Sequence, residues 1–259
     1  MVVGEQVGRG VLVTGASRGI GRAIAARFAA AGDRVAVHHR DSADLAEHLA
    51  GSLPGGGHVV VRADMADPDA VRAMVDDAAS RLGGLDVLVN NAGVFGDVDR
   101  PHPVFGIDYG QWQRMWRDTF NVNLFGAANA AWCAAQHLRA GGGGRIINVS
   151  SRGAFRGEPE QPAYGASKAA LNAMGQSLAV ALAPYGIAVA SVAPGFVETD
   201  MTNQHLKAER GAAVRAQSPF QRVARPEEIA SAVFWLASPE AEWASGTIVD
   251  LNGASYLRT

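Results

Sequence analysis

The chain has 259 residues, 48% of them hydrophobic, and a net charge of −2. It is long enough to bury the core of one large α/β domain, and it has no charge imbalance directing it to nucleic acid or a membrane surface. A single cysteine, Cys133, excludes an internal disulfide framework, and the seven histidines show no metal-ligand spacing, so no metal site is expected.

In chain order, a first apolar strand is expected over 11–14, running into Gly15-Ala16-Ser17-Arg18-Gly19-Ile20-Gly21, with a helix over 22–31 behind it. A second strand over 34–39 precedes a helix over 42–49, and a third over 58–63 ends at Asp64. Asp67-Pro68 opens the next helix, with proline at its first position. A fourth strand over 85–90 leads through a loop rich in proline, glycine and aromatics to one long helix over 109–139, closed by four glycines at 141–144. The fifth strand, 145–149, delivers Ser150-Ser151; a helix over 162–183 and a sixth strand over 187–192 follow. A polar segment over 198–225 without a helical stripe precedes a helix opened by Pro226 and a last strand over 247–251. Strands that read as apolar runs and alternate with helices predict a doubly wound (Rossmann) α/β fold: a seven-stranded parallel sheet with helices on both faces, in one domain over 1–259. No apolar run reaches transmembrane length and residues 1–10 lack a secretory pattern, so a cytoplasmic protein is expected.

Glycines 15, 19 and 21 fall between the first strand and the first helix. There the unpaired N–H groups of a helix start can hold a pyrophosphate, and glycines let the backbone approach it. The end of the second strand selects the cofactor. An acidic residue would suit the ribose hydroxyl of NAD. His39-Arg40 stands there instead, with Arg18 inside the glycine loop. Two guanidinium groups favour the extra phosphate of NADP(H), while Asp41 beside Arg40 keeps NAD(H) as the alternative.

Tyr164 and Lys168 stand one helical turn apart, and Ser151 lies thirteen residues before the tyrosine. A phenol titrates near ~10, poorly matched to proton transfer at neutral pH, and a neighbouring ammonium is expected to lower that value. The serine hydroxyl can hold a substrate oxygen, so the group reads as a proton donor aimed at a carbonyl.

These motifs together resemble the short-chain dehydrogenases/reductases, in the single-domain branch that includes the 3-oxoacyl-carrier-protein reductases. The resemblance spans residues 11–253 and rests on the run from Thr14 to Gly21, Asn90-Asn91-Ala92-Gly93, Asn123, Ser151, Tyr164 and Lys168 in order, and Pro194-Gly195-Phe196-Val197-Glu198-Thr199. It implies a catalytic tetrad of Asn123, Ser151, Tyr164 and Lys168. In it Tyr164 is the general acid, Ser151 orients the substrate oxygen, Lys168 binds the nicotinamide ribose, and Asn123 holds a water through its backbone. It further implies that Gly15, Ser17, Arg18, Gly19, Ile20, Gly21, His39 and Arg40 bind the phosphate-rich end of the cofactor. Asp64 and Met65 would face the adenine; Asn91, Ala92 and Gly93 the ribose; and Pro194, Gly195, Val197 and Thr199 the carboxamide. The expected activity is hydride transfer between NADP(H) and a ketone or secondary alcohol, in a homotetramer formed through the 109–139 and 162–183 helices. The interval from Asn90 to Asn123, 33 positions, is longer than the family pattern and places extra residues within 94–110. The segment 199–222 resembles the family's substrate flap, with Arg210, Arg215 and Arg222 as candidate anion contacts. Phe95, Phe155 and Phe196 suit an apolar or ring-shaped substrate. An NAD-dependent alcohol dehydrogenase and a non-catalytic cofactor sensor are the competing readings.

Overall fold

In the computed structural model, residues 8–95, 101–199 and 209–258 are described. Seven strands form one sheet: β1 (Gly10–Val13), β2 (Arg34–His39), β3 (Val59–Arg62), β4 (Val87–Asn90), β5 (Gly144–Val149), β6 (Ile187–Pro194) and β7 (Ile248–Leu251). Their order is β3-β2-β1-β4-β5-β6-β7, and every neighbouring pair is parallel. The fully buried strands β1 and β4 read Gly-Val-Leu-Val and Val-Leu-Val-Asn because neither face meets water, so apolar residues occupy both sides of the pleat.

Successive side chains go to opposite layers. Val11 and Val13 pack with Ile24 and Phe28 of α1 (Gly19–Ala29), and with Ile229, Val233 and Leu236 of α9 (Pro226–Leu236). Leu12 points the other way, into Val71, Met74 and Val75 of α3 (Pro68–Leu82) and the alanine face of α5 (Ala127–Ala140). α3 shows how local chemistry sets an element's ends. The Asp67 carboxylate accepts from the N–H groups of Asp69 and Ala70, Pro68 occupies the first turn, and Gly83 closes the helix at φ 67°. The remaining helices are α2 (Ala43–Ser52), α4 (Tyr109–Phe120), α6 (Gly153–Arg156), α7 (Pro162–Leu182) and α8 (Glu209–Ala216). No described helix is long and apolar enough to cross a membrane.

Three expectations are corrected here. The long helix over 109–139 is two helices, α4 and α5, joined by a π-helical turn at Asn121–Gly126 that carries Asn123. α1 begins at Gly19 instead of residue 22, because the glycine loop turns directly into helix. The polar segment before α9 contains α8, whose apolar content is too low for a stripe to be visible in the sequence.

The strand order reverses beside β1, whose neighbours are β2 and β4. At that reversal the connections leave in opposite directions and open a crevice at the carboxyl ends of the strands.

Candidate active site

The loop from Thr14 to Gly19 is fixed from below before it reaches the crevice. The Thr14 hydroxyl accepts from the N–H groups of Asn91 (2.9 Å) and Ala92 (3.0 Å), and the Asn91 side-chain amide donates to the carbonyls of Thr14 (2.8 Å) and Gly15 (3.1 Å). His38 joins a third strand to them: its Nδ1 accepts from the Gly15 N–H at 2.8 Å, and its Nε2 lies 3.1 Å from the Ala63 carbonyl. One nitrogen must therefore accept while the other donates, which requires a neutral imidazole. Gly19, at φ +57°, opens α1, and Arg18 before it supplies no side-chain cap. The first N–H groups of α1 are thus left to an incoming anion.

Burial pulls the His38 pKa from 6.5 down to about 4. Between those values the unfolded chain binds a proton that the folded chain refuses, so stability rises with pH across the window and is lost on acidification. The size is about 3 kcal/mol. Urea midpoints at pH 7 and pH 4 should therefore fall further apart in the wild type than in His38→Asn; equal loss in both would remove His38 as the cause.

The reacting groups stand at the other end of the crevice. Tyr164 and Lys168 lie on α7, with the ammonium 5.9 Å from the phenol ring centre. The Lys168 Nζ donates to the Val149 carbonyl at 2.8 Å, at the carboxyl end of β5. Ser151 follows that strand, and its Oγ accepts from the Gly153 N–H at 3.0 Å. The Asn123 side chain clamps the backbone of Val94, with Oδ1 accepting from its N–H (2.8 Å) and Nδ2 donating to its carbonyl (2.9 Å) and to the Ser167 hydroxyl (3.1 Å). The π-helical turn widens the backbone at this point, as such turns do at functional sites.

The expected lowering of the phenol's pKa is reversed in the protein by itself. Burial pushes the Tyr164 phenol up to about 12, opposed in part by the Ser151 hydroxyl, and pulls Lys168 down to about 8. Desolvation acts against the charged form of both, and sequence spacing carries no information about burial.

A single cleft of about 420 Å³ connects the two ends. It is lined by Gly15, Ser17, Arg18, Gly19, Ile20 and Gly21, then by His39, Arg40, Asp64 and Met65 at one side. Asn91, Ala92, Gly93, Ser151, Tyr164 and Lys168, with Pro194, Gly195, Val197 and Thr199, complete it. Of the predicted site residues only Asn123 is set behind the wall. The shape fits an elongated dinucleotide: a methyl at Gly93 would come within 3.4 Å of the Lys168 Nζ, and His39 presents a buried Nδ1 without a hydrogen-bond partner.

The family model described as enoyl-(acyl carrier protein) reductase matches residues 15–253. A 3-oxoacyl-(acyl-carrier-protein) reductase from Staphylococcus aureus is 37% identical over 251 residues, 96% of this chain and 98% of that one. The chain belongs to the short-chain dehydrogenase/reductase family. A short-chain dehydrogenase from Burkholderia cenocepacia J2315, solved in complex with NADP, superposes with a TM-score of 0.86 at 35% identity, covering 97% of this chain and 99% of that one. A 7α-hydroxysteroid dehydrogenase complexed with NADH and 7-oxo glycochenodeoxycholic acid gives a TM-score of 0.86 at 31% identity, covering 95% of this chain and 93% of that one. As a short-chain dehydrogenase/reductase, the protein is an NAD(P)-dependent oxidoreductase.

Several of this dehydrogenase's residues act differently from their sequence reading. Asn91 spends its amide on the backbone of the glycine loop, and the Asp64 carboxylate caps its own turn by accepting from the Ala66 N–H at 2.9 Å. Arg40 is held through its Nε by Asp41, whereas the Arg18 side chain is exposed and has no hydrogen bond among the described residues. Of the three phenylalanines, Phe95 and Phe196 line the cleft; Phe155 lies outside it, with the Arg258 guanidinium 4.3 Å from its ring centre. Arg222 is paired with Glu228, so it is no free anion contact. Residues 96–100 of the longer loop, residues 200–208 of the expected flap and the Arg210 side chain lie outside the described residues. Among the cleft residues not read from the sequence are His38 and Arg152. A polar pair at the end of a buried strand was the signal for the first; the second had none beyond its place after Ser151.

Proposed function

We propose that this chain works as one catalytic domain over residues 1–259 and reduces a ketone or 3-oxoacyl compound with NADPH. The observation that carries the reading is the convergence of a buried, protonated phenol, a serine hydroxyl and a lysine at one end of a cleft whose other end is an uncapped helix start with arginines beside it. The bound cofactor supplies the hydride. The first N–H groups of α1 hold the pyrophosphate; Arg18 and Arg40 face the additional phosphate; Pro194, Gly195, Val197 and Thr199 orient the carboxamide. Ser151 positions the substrate oxygen, and Tyr164 transfers its phenolic proton to that oxygen as negative charge develops on it. A phenol held near 12 is fully protonated at neutral pH, the form that reduction requires. Lys168 anchors the ribose, and Asn123 keeps Val94 and the adjacent wall in place.

The second reading, an NAD-dependent alcohol dehydrogenase, is favoured by the Arg40–Asp41 pair, which draws that guanidinium partly away from a phosphate. Fluorescence titration with NADPH and NADH separates the two. NADPH is expected to bind at least about tenfold more tightly, the worth of one charge-assisted bond, and Arg18→Ala with Arg40→Ala should abolish the difference. Tighter NADH in the wild type would establish the second reading.

We further propose a cytoplasmic homotetramer assembled through the α4–α5 and α7 helices. Phe125 on the π-helical turn, Trp132 on α5 and Val180 on α7 are 53%, 61% and 79% exposed, apolar surface that such an assembly would cover. Cell fractionation and light scattering check both parts; a solution mass of one 27.0 kDa subunit would rule the tetramer out.

A further inference from the structure

Arg152, the residue after Ser151, is only 4% exposed. One terminal nitrogen donates to the Ser255 hydroxyl and the other to the Gln217 side-chain carbonyl, each at 2.5 Å, and the Phe196 ring lies 4.9 Å beneath the guanidinium. Both acceptors are neutral, and no carboxylate lies within ion-pair distance of Arg152 among the described residues. Arg9 and Arg145, by contrast, reach Asp33 and Glu242. Arg156 shares the Gln217 carbonyl at 3.3 Å, which adds a second positive charge to the same corner. Glu158 lines the cleft beyond ion-pair distance and acts on Arg152 only through its longer-range charge; burial raises its pKa, against the lowering effect of Arg156 and Arg152, which weakens it as a counterion.

A buried, unpaired charge is strongly unfavourable, and an arginine does not escape by losing its proton: burial pulls Arg152 down only to about 10, so it stays charged at neutral pH. Such a group is kept where a ligand brings the missing partner. Arg152 and Phe196 also form the wall between the catalytic cleft and a second cavity of about 280 Å³, lined further by Ser218, Asn252 and Ser255. Three of the five guanidinium N–H groups are uncommitted by the two side-chain bonds, enough for the two-point contact that a carboxylate makes with arginine.

We propose that Arg152 is a specificity-determining residue that pairs a carboxylate of the substrate, so that the compound reduced is an oxo acid with its carbonyl at Ser151 and Tyr164 and its acid group against the guanidinium. This rests on the reductase reading and narrows it from ketones and thioesters to free acids.

The test is steady-state reduction with NADPH of acetoacetate, levulinate and 4-oxocyclohexanecarboxylate, each against its methyl ester, in the wild type, Arg152→Met and Arg152→Lys. At least one acid should exceed its ester in kcat/KM by about tenfold or more, the discrimination expected of a charge-assisted pair. That ratio should fall to about one in Arg152→Met through a rise in KM for the acid, and Arg152→Lys should recover part of it. Esters that match or exceed their acids throughout would overturn the carboxylate contact while leaving the reductase standing; turnover of no acid and no ester would overturn both. A ratio unchanged in a folded Arg152→Met protein would also refute it. If that variant does not fold, the Lys variant and the wild-type ratio decide.

Discussion

Replacing Tyr164 by phenylalanine is expected to lower kcat about a hundredfold to ten-thousandfold, the range that a positioned proton donor contributes, while NADPH affinity stays within about threefold. The substitution removes one oxygen and leaves the packing. Phe95 meets the Tyr164 ring edge-on with centres 4.6 Å apart, and that contact does not involve the hydroxyl. Lys168 keeps its bond to the Val149 carbonyl. What is lost is the phenolic oxygen and its proton, so stability should change little. Steady-state kinetics, cofactor titration and urea unfolding on the same preparation separate these effects. A kcat within tenfold of wild type would remove Tyr164 from the reaction, and a matching collapse of NADPH affinity would recast it as a binding residue.

Gly21→Ala is expected to disable the cofactor end as thoroughly as the first variant disables the chemistry. A methyl there would sit 2.3 Å from the Gly15 carbonyl oxygen and 2.5 Å from the Asn91 side-chain nitrogen. Those two atoms are already hydrogen-bonded to each other at 3.1 Å, so the added carbon intrudes on the bond that shapes the loop. Overpacking of this kind costs about 1–3 kcal/mol, occasionally more, which for a chain of this size lowers the melting temperature by about 2–6 °C. NADPH affinity should drop at least tenfold, because the first N–H groups of α1 move with the loop. Gly51→Ala, in α2 with nothing within 4 Å of the new methyl, is the control and should be neutral or slightly stabilising. A Gly21→Ala protein that melts and binds like wild type would refute the assignment of this turn.

Much of the fold and of the site is legible in the sequence. Unbroken apolar runs such as residues 187–190 announce strands buried on both faces, and the passage from Val13 into α1 identifies itself by three glycines. The tyrosine–lysine spacing places both groups on one face of α7. The π-helical turn at Asn121–Gly126 was not visible: one residue inserted in a helix shifts the phase of its apolar face without changing its composition. The direction of the Tyr164 shift differs from the sequence expectation because it depends on burial, a property of the whole fold. Arg152 owes its burial and neutral partners to Gln217 and Ser255, 65 and 103 positions away, and no local pattern encodes such a contact.

The sheet order has a kinetic consequence. β1 is complete by residue 13, yet it pairs with β4 at residues 87–90; Tyr164 and Lys168 then need the end of β5, and the far wall of the cleft arrives only with residues 194–199. The functional groups are held by elements that lie far apart along the chain, and the contacts joining them are the kind that form late and slowly in folding. A nascent or partly folded chain therefore has neither a finished cofactor cradle nor a seated proton donor. Activity should appear in one step with the closing of the sheet, and refolding assays that follow turnover should lag behind those that follow helix formation.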